Sequence, residues 1–182
     1  MIDLKTERMV GKGPGGSKTF TGFQPNYLFG LDDLCQKFVY PSCRVLEIGC
    51  NRGVSTELFA SYARSVTAVD IKLKPRMEDL LERTSNIKFV ESFSKDYLNR
   101  LVEGDFDLVY LDGDHSHKTV VKELRLVLTR LKRGFILAGH DMYPSTRKQS
   151  QVQKAVHEVL PGIHEGDLII HRFSDSSWAV AI

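Results

Sequence analysis

The sequence lacks several things, and each shortage narrows what the chain can be. No run approaches the roughly 18 consecutive apolar residues of a membrane span, so no transmembrane helix is expected. The first ten residues, MIDLKTERMV, carry charges throughout and have no apolar stretch of the kind a secretory signal needs. Cysteine is scarce and odd in number. Cys35, Cys43 and Cys50 match neither a zinc-ribbon spacing nor a disulfide framework and read as reduced thiols. The net charge of +2 is too weak to argue for nucleic acid or a membrane surface. There is no internal repeat and no long low-complexity tract. The expectation is a cytoplasmic protein that meets a small-molecule substrate, with no nucleic-acid and no membrane partner.

What is present suits one core. The chain has 182 residues, 42% hydrophobic and 26% charged, a size that buries about 70% of the unfolded surface without disulfide or metal staples. Residues 1–24 read as a flexible glycine-rich arm and residues 25–182 as a single domain. The arm segment GKGPGGSKTFTG resembles a phosphate loop only at a glance. Its order is Gly16-Ser17-Lys18-Thr19, not Gly-Lys-Ser/Thr, and no strand pattern precedes it. A mobile arm or lid and a direct ligand contact are both open there.

After Pro25, the apolar residues Leu28, Leu31, Leu34 and Phe38 recur at helical spacing. Then short apolar runs alternate with helical ones. CRVLEIG, SVTAVDI, NIKFVES, FDLVYLD and GFILAGHD read as strands; VSTELFASYA, RMEDLLERT, SKDYLNRLV, KTVVKELRLVLTRL and QVQKAVHEVL read as helices. Such alternation indicates βαβ units and a parallel sheet covered on both faces. The tail departs from it. DLIIHRF and SSWAVAI are separated by so few residues that they must form an antiparallel hairpin. The predicted fold class is therefore α/β, Rossmann-like and doubly wound, with a mostly parallel seven-stranded sheet and a C-terminal antiparallel hairpin.

In such sheets, ligands bind beyond the carboxyl ends of the strands. The first end reads VLEIGCNRGVST, with Gly49 after the strand and Gly53 opening the next helix. Two glycines there can be packing devices. Asp70, closing the second strand about 20 residues on, adds the acid that accepts hydrogen bonds from ribose hydroxyls. Together they favour a nucleoside-bearing cofactor.

VLEIGCNRG resembles the first motif of class I S-adenosylmethionine-dependent methyltransferases, acid-x-Gly-x-Gly-x-Gly, with Glu47 as the acid and Asn51 where the second glycine stands. Asn tolerates left-handed backbone angles, so the turn can survive the exchange. The resemblance implies S-adenosyl-L-methionine as cofactor and a strand order of 3-2-1-4-5-7-6. It also implies that Gly49, Cys50, Asn51 and Gly53 form the cofactor turn, with Gly49 against the methionine part and Glu47 helping to hold its amino group. Asp70 would take both ribose hydroxyls, Ile71 would pack on adenine, and Ser92 and Phe93 would stand at the adenine edge. Simple core packing is the other reading of Phe93.

LDGDHSHK ends the fourth strand and AGHDMY the fifth. Neighbouring strands lie roughly 4.8 Å apart, so in the implied order Asp112 would face His140 and Asp141 beside the transferred methyl group. Such a set could hold a divalent cation, Mg²⁺ or Mn²⁺, through Asp112, His140 and Asp141. Alternatively, a histidine could act as general base. The candidate catalytic residues are Asp112, which would also touch the cofactor, His115 and His140. Asp114 and Ser116 could simply cap the next helix, and His117 could be a solvated first-turn residue. His157, His164 and His171 have no companions in sequence, and Trp178 reads as core.

The stretch from LDGDHSHK to GHD is similar to a subgroup of small methyltransferases related to macrocin-type sugar O-methyltransferases and cephalosporin-hydroxylase-like proteins. Several of these use magnesium at matching strand ends, held by an acid pair where this chain has His140 and Asp141. That exchange shifts the preference toward Mn²⁺ or a softer ion. The resemblance implies methyl transfer to a hydroxyl of a small, sugar-like or metabolite acceptor. A metal-dependent hydrolase built on Asp112, His115, His140 and Asp141, a nicotinamide-binding domain and an inactive partner-binding domain are the alternatives. Arg147 and Lys148, in the short insertion after the fifth strand, hint at an anionic acceptor, and a homodimer partner or the arm would help close the pocket.

Overall fold

The computed structural model describes residues 27–142 and 150–182. The arm at 1–24, with its glycine-rich segment, and Arg147 and Lys148 lie outside the described residues. The elements run α1 (Tyr27–Phe38), β1 (Arg44–Ile48), α2 (Val54–Tyr62), β2 (Ser65–Asp70), α3 (Pro75–Arg83), β3 (Ile87–Glu91) and α4 (Ser94–Leu98). They continue with β4 (Leu108–Leu111), α5 (His117–Leu131), β5 (Ile136–Gly139), α6 (Gln151–Val159), α7 (Gly162–Glu165), β6 (Ile170–Arg172) and β7 (Trp178–Ala181). The strands form one seven-stranded sheet in the order β3-β2-β1-β4-β5-β7-β6. β1 to β5 pair in parallel, and β7 pairs antiparallel with both β5 and β6. Fold class and strand order are as expected.

Strand alternation divides the core between the two faces of the sheet. Leu46, Ile48, Val109, Leu111 and Leu137 join one cluster with Val120, Leu124 and Val127 of α5 and Val152 and Val156 of α6. Val45, Leu108, Tyr110 and Ala138 join the other, with Leu31 and Leu34 of α1 and Leu58 and Phe59 of α2. The central strand β4 is buried at every position, which is why FDLVYLD reads as continuously apolar. Trp178 is 1% exposed and lies opposite Gly139. A Cβ on Gly139 would stand 2.6 Å from the Leu111 carbonyl oxygen, so only glycine fits there. The three cysteines are buried free thiols.

Two elements differ from the sequence pattern. SKDYLNRLV forms a helix only as far as Leu98. The Asn99 side chain donates to the Lys95 carbonyl (3.0 Å), giving the backbone a competing partner at that end. The short α7 was not anticipated; Pro161 precedes it and Gly166, at φ 84°, stops it.

Glu123 occupies a core-facing position of α5 and is 2% exposed. Ser94 supplies a hydrogen bond to its carboxylate, while Oε1 has no hydrogen-bond partner. Burial pushes its pKa from 4.5 up to about 7, against the pull of Ser94. Between those values the folded state keeps a proton that the unfolded chain has lost. Stability therefore falls as pH rises through that window, by roughly 3 kcal/mol at most. Glu123→Gln is expected to remove this part of the slope and to be more stable than the unaltered protein at pH 8. Urea unfolding at pH 5 and pH 8 measures it; equal slopes for both proteins would refute the assignment.

Candidate functional site

Three backbone turns build the site. Gly49 leaves β1 at φ 89°, Asn51 follows at 48°, and Gly53 at 75° opens α2. All three are left-handed, a region that glycine enters freely and asparagine enters at modest cost. A Cβ at Gly49 would lie 2.2 Å from the Asp112 carbonyl oxygen, and one at Gly53 would lie 2.6 Å from Met77 Sδ. The Gly49 N–H donates to the Val69 carbonyl and the Asp112 N–H to the Ile48 carbonyl, both at 2.8 Å. The ends of β2, β1 and β4 are thereby laced into one rim.

A cavity of about 1160 Å³ opens on that rim. Of the sequence-predicted residues, Gly49, Cys50, Asn51, Asp70, Ile71, Ser92, Phe93, Asp112, His115, His140 and Asp141 line it. Asp70 accepts from the Asn51 N–H and from the Ile71 N–H, each at 2.7 Å. Two backbone amides thus aim one carboxylate into the cavity. Ile71 and Phe93 are 63% and 68% exposed, two large apolar side chains bared on the cavity wall. The core reading of Phe93 is thereby set aside.

Glu47 is a correction. It is fully buried, is not among the cavity-lining residues, and accepts from the hydroxyls of Ser55 and Thr56. Alternation explains this: Glu47 shares the face of Val45, under the start of α2, while the cavity lies beyond the strand end. Burial lifts its pKa to about 7, against the pull of the Ser55 and Thr56 hydroxyls. The Ser55 and Thr56 hydrogen bonds tie the start of α2 to β1, and Ser55 stands between Glu47 and the cavity. Gly53 likewise works from beneath, as a contact for Met77 and Leu80.

At the ends of β4 and β5, His115 bridges two carboxylates. Its Nε2 lies 3.2 Å from Asp112 Oδ1 and its Nδ1 lies 2.7 Å from Asp141 Oδ2. The hydrogen bonds to Asp112 and then Asp141 raise the His115 pKa to about 10. The ring is therefore protonated at neutral pH, and both nitrogens are occupied. Without a ligand, neither ring nitrogen is free to take up a further proton. His140 Nδ1 lies 3.5 Å from Asp141 Oδ1 and 3.9 Å from Asp112 Oδ1. Burial lowers its pKa, but the Asp141 hydrogen bond and the Asp112 charge outweigh that and hold it near 9. Burial pushes the Asp112 carboxyl up; His115 and then His140 pull Asp141 well down.

The metal set also changes. Ligand atoms of Asp112, His115 and Asp141 lie within 4.8 Å of one another. Among the described residues this is the group close enough to share one ion, and it contains His115 and not His140. Asp141 reaches the group because its backbone is left-handed, at φ 56°, a bend the letters GHD do not announce. Asp114 is structural. It accepts from the Ser116 N–H and the Thr119 hydroxyl, both at 2.8 Å, and so fixes the start of α5. Ser116 stands at the N-cap without a side-chain cap bond. His117 pairs with Glu158 (3.0 Å) on the surface. Lys74 and Thr119 also line the cavity, and no motif or spacing singles them out.

A family profile described as a methyltransferase domain matches residues 46–142. A protein of Archaeoglobus fulgidus named as a cobalt-precorrin-6B C(15)-methyltransferase (decarboxylating) is 33% identical over 67 residues; that match spans 37% of this chain and 39% of the relative. A Clostridium thermocellum structure described as an rRNA methylase superposes with a TM-score of 0.63 at 18% identity, covering 85% of this chain and 93% of the other. The 1,6-didemethyltoxoflavin-N1-methyltransferase of Burkholderia thailandensis, solved with S-adenosylhomocysteine, superposes with a TM-score of 0.60 at 19% identity, over 87% and 77% of the two chains. No described helix is long and apolar enough to cross a membrane.

Gly49→Ala should cost roughly 2–5 kcal/mol, from the left-handed backbone and the collision with Asp112 together. Gly113→Ala is the control, since its Cβ would meet Ile48 Cγ2 at an ordinary 3.6 Å, and it should cost less than about 1 kcal/mol. Denaturant unfolding distinguishes them; a Gly49→Ala variant as stable as Gly113→Ala would show that β1 and β4 do not meet this closely.

Proposed function

The chain belongs to the methyltransferase-domain family, and from that premise we propose that it is an S-adenosylmethionine-dependent methyltransferase that methylates a hydroxyl group of a small acceptor. The observation that carries this reading is the position of the Asp112–His115–Asp141 cluster on the same cavity as the Gly49 turn and Asp70. The cofactor fits what the chain offers. At Gly49 a Cβ would fill the space against Asp112, Asp70 presents a carboxylate for ribose hydroxyls, and Ile71 and Phe93 offer apolar surface for a flat base. When bound, S-adenosylmethionine supplies an electrophilic methyl group on a sulfonium centre.

The protein's own groups do the rest. Asp112, half-buried on the cavity rim and raised in pKa by desolvation, accepts the proton of the acceptor hydroxyl, which makes the oxygen a better nucleophile. His115 and His140, both positively charged near neutrality, keep Asp112 and Asp141 from repelling each other and orient them. The cavity walls position the acceptor, and positioning supplies a large share of the rate. The same donors, two carboxylates and one imidazole, suit Mn²⁺ or Mg²⁺. A cation there would take the place of the His115 proton, and Asp112, His115 and Asp141 would hold it.

The test is S-adenosylhomocysteine formation with panels of small hydroxylated acceptors, small amines and RNA. Turnover of the hydroxylated panel is expected, and Asp112→Asn should lower it by about 10²-fold or more while S-adenosylhomocysteine affinity changes less than about threefold. Turnover confined to amines or RNA would overturn the acceptor assignment. If a cation occupies the cluster, EDTA should abolish turnover, Mn²⁺ should restore it, and Asp141→Asn should shift the required Mn²⁺ concentration upward. Full activity in EDTA would leave the imidazolium-bridged cluster as the working form.

A further inference from the structure

The residue that departs from the glycine turn is held from outside. Asn51 is left-handed although it has a side chain, and its N–H must keep that conformation to reach Asp70 Oδ2 at 2.7 Å. The start of α3 grips this turn at three places. Lys74 Nζ donates to Asn51 Oδ1, Arg76 Nη1 donates to the Arg52 carbonyl at 3.1 Å, and Met77 packs where a Cβ of Gly53 would stand. Lys74 is prepared for this by its neighbour. Pro75 forces the residue before it into an extended backbone, and Lys74 has φ −107° and ψ 150°.

We propose that Lys74 is a positioning residue for the cofactor, acting through Asn51: its ammonium latches the Asn51 side chain, holds the left-handed turn, and so keeps the Asn51 amide on Asp70. A turn with glycine at this position would need no latch, because glycine adopts left-handed angles without steric cost. With asparagine the conformation competes against the more favourable right-handed and extended regions, and a charge-assisted hydrogen bond to the side chain tips the balance. The consequence falls on Asp70, whose aim depends on the Asn51 and Ile71 amides together. This rests on the reading of Asp70 as the ribose acceptor.

A double-mutant cycle tests it. The four proteins are the unaltered chain, Lys74→Met, Asn51→Gly and the double variant. S-adenosylhomocysteine affinity is measured by titration calorimetry and ligand-free melting temperature by scanning calorimetry. Lys74→Met alone is expected to weaken binding about fivefold, with a melting temperature within about 2 °C of the unaltered chain. In the Asn51→Gly background the same change should matter less than about twofold, because the turn no longer needs the latch. Equal losses in both backgrounds would mean that Lys74 acts on the ligand directly and would overturn the latch. No loss in the Asn51 background would overturn it as well. An unaltered protein that binds no S-adenosylhomocysteine would instead remove the cofactor site, and the latch with it, which is a distinct result.

Discussion

The site depends on how closely β1 and β4 approach at their carboxyl ends. Gly49 turns out of β1 directly against the Asp112 carbonyl, with no room for a single added carbon. This is the point where the sheet order reverses: the chain lays β2 and β3 on one side of β1, then returns to place β4 and β5 on the other. Helices leaving in opposite directions open a crevice above such a reversal. The glycine brings the turn that follows β1 and the acid that ends β4 onto one rim. Any larger residue would push the two halves of the cavity apart.

Several carboxyl groups crowd that end of the sheet, and five of them are stabilised in four different ways. Asp70 is held by two backbone amides and remains open to a ligand. Glu47 is closed off by two hydroxyls and is driven toward the protonated form by burial. Asp112 and Asp141 share one imidazolium, with a second alongside. Asp114 is consumed by the start of α5. Carboxylates this close would repel one another without such partners. The nature of the partner decides availability: amides aim a carboxylate outward, whereas paired hydroxyls bury it.

Much of this was legible in the letters. Alternating short apolar runs and helices dictated the parallel sheet, and the short gap before SSWAVAI dictated the hairpin. The left-handed turn at Asn51 was compatible with asparagine's tolerance of positive φ, and the gathering of Gly49, Asp70 and Asp112 followed from the strand order that the resemblance implied. The burial of Glu47 was readable from the two-residue period of a strand, which places it beneath α2, although the resemblance had assigned it to the cofactor. The exchange of His140 for His115 in the charged cluster was not legible. It depends on the left-handed bend at Asp141 and on the Asp114 turn that swings His115 inward, and both are products of tertiary contact. Lys74 was invisible for a similar reason: it reaches Asn51 across two turns far apart in sequence.

The two halves of the cavity are built from different materials, and this explains why the cofactor is easier to read than the acceptor. The cofactor half is mostly backbone: the Gly49 cradle and the amides of Asn51 and Ile71, fixed by close packing and positive φ. The overall fold that carries this backbone is shared with solved methyltransferase structures at 18% and 19% identity. The acceptor half consists of side chains, His115, His140 and Asp141, set on turns after β4 and β5. Those side chains can change without disturbing a single backbone contact of the first half. A shared sheet therefore carries the backbone rim from one protein to another, while the charged groups beside it are free to differ within the same fold.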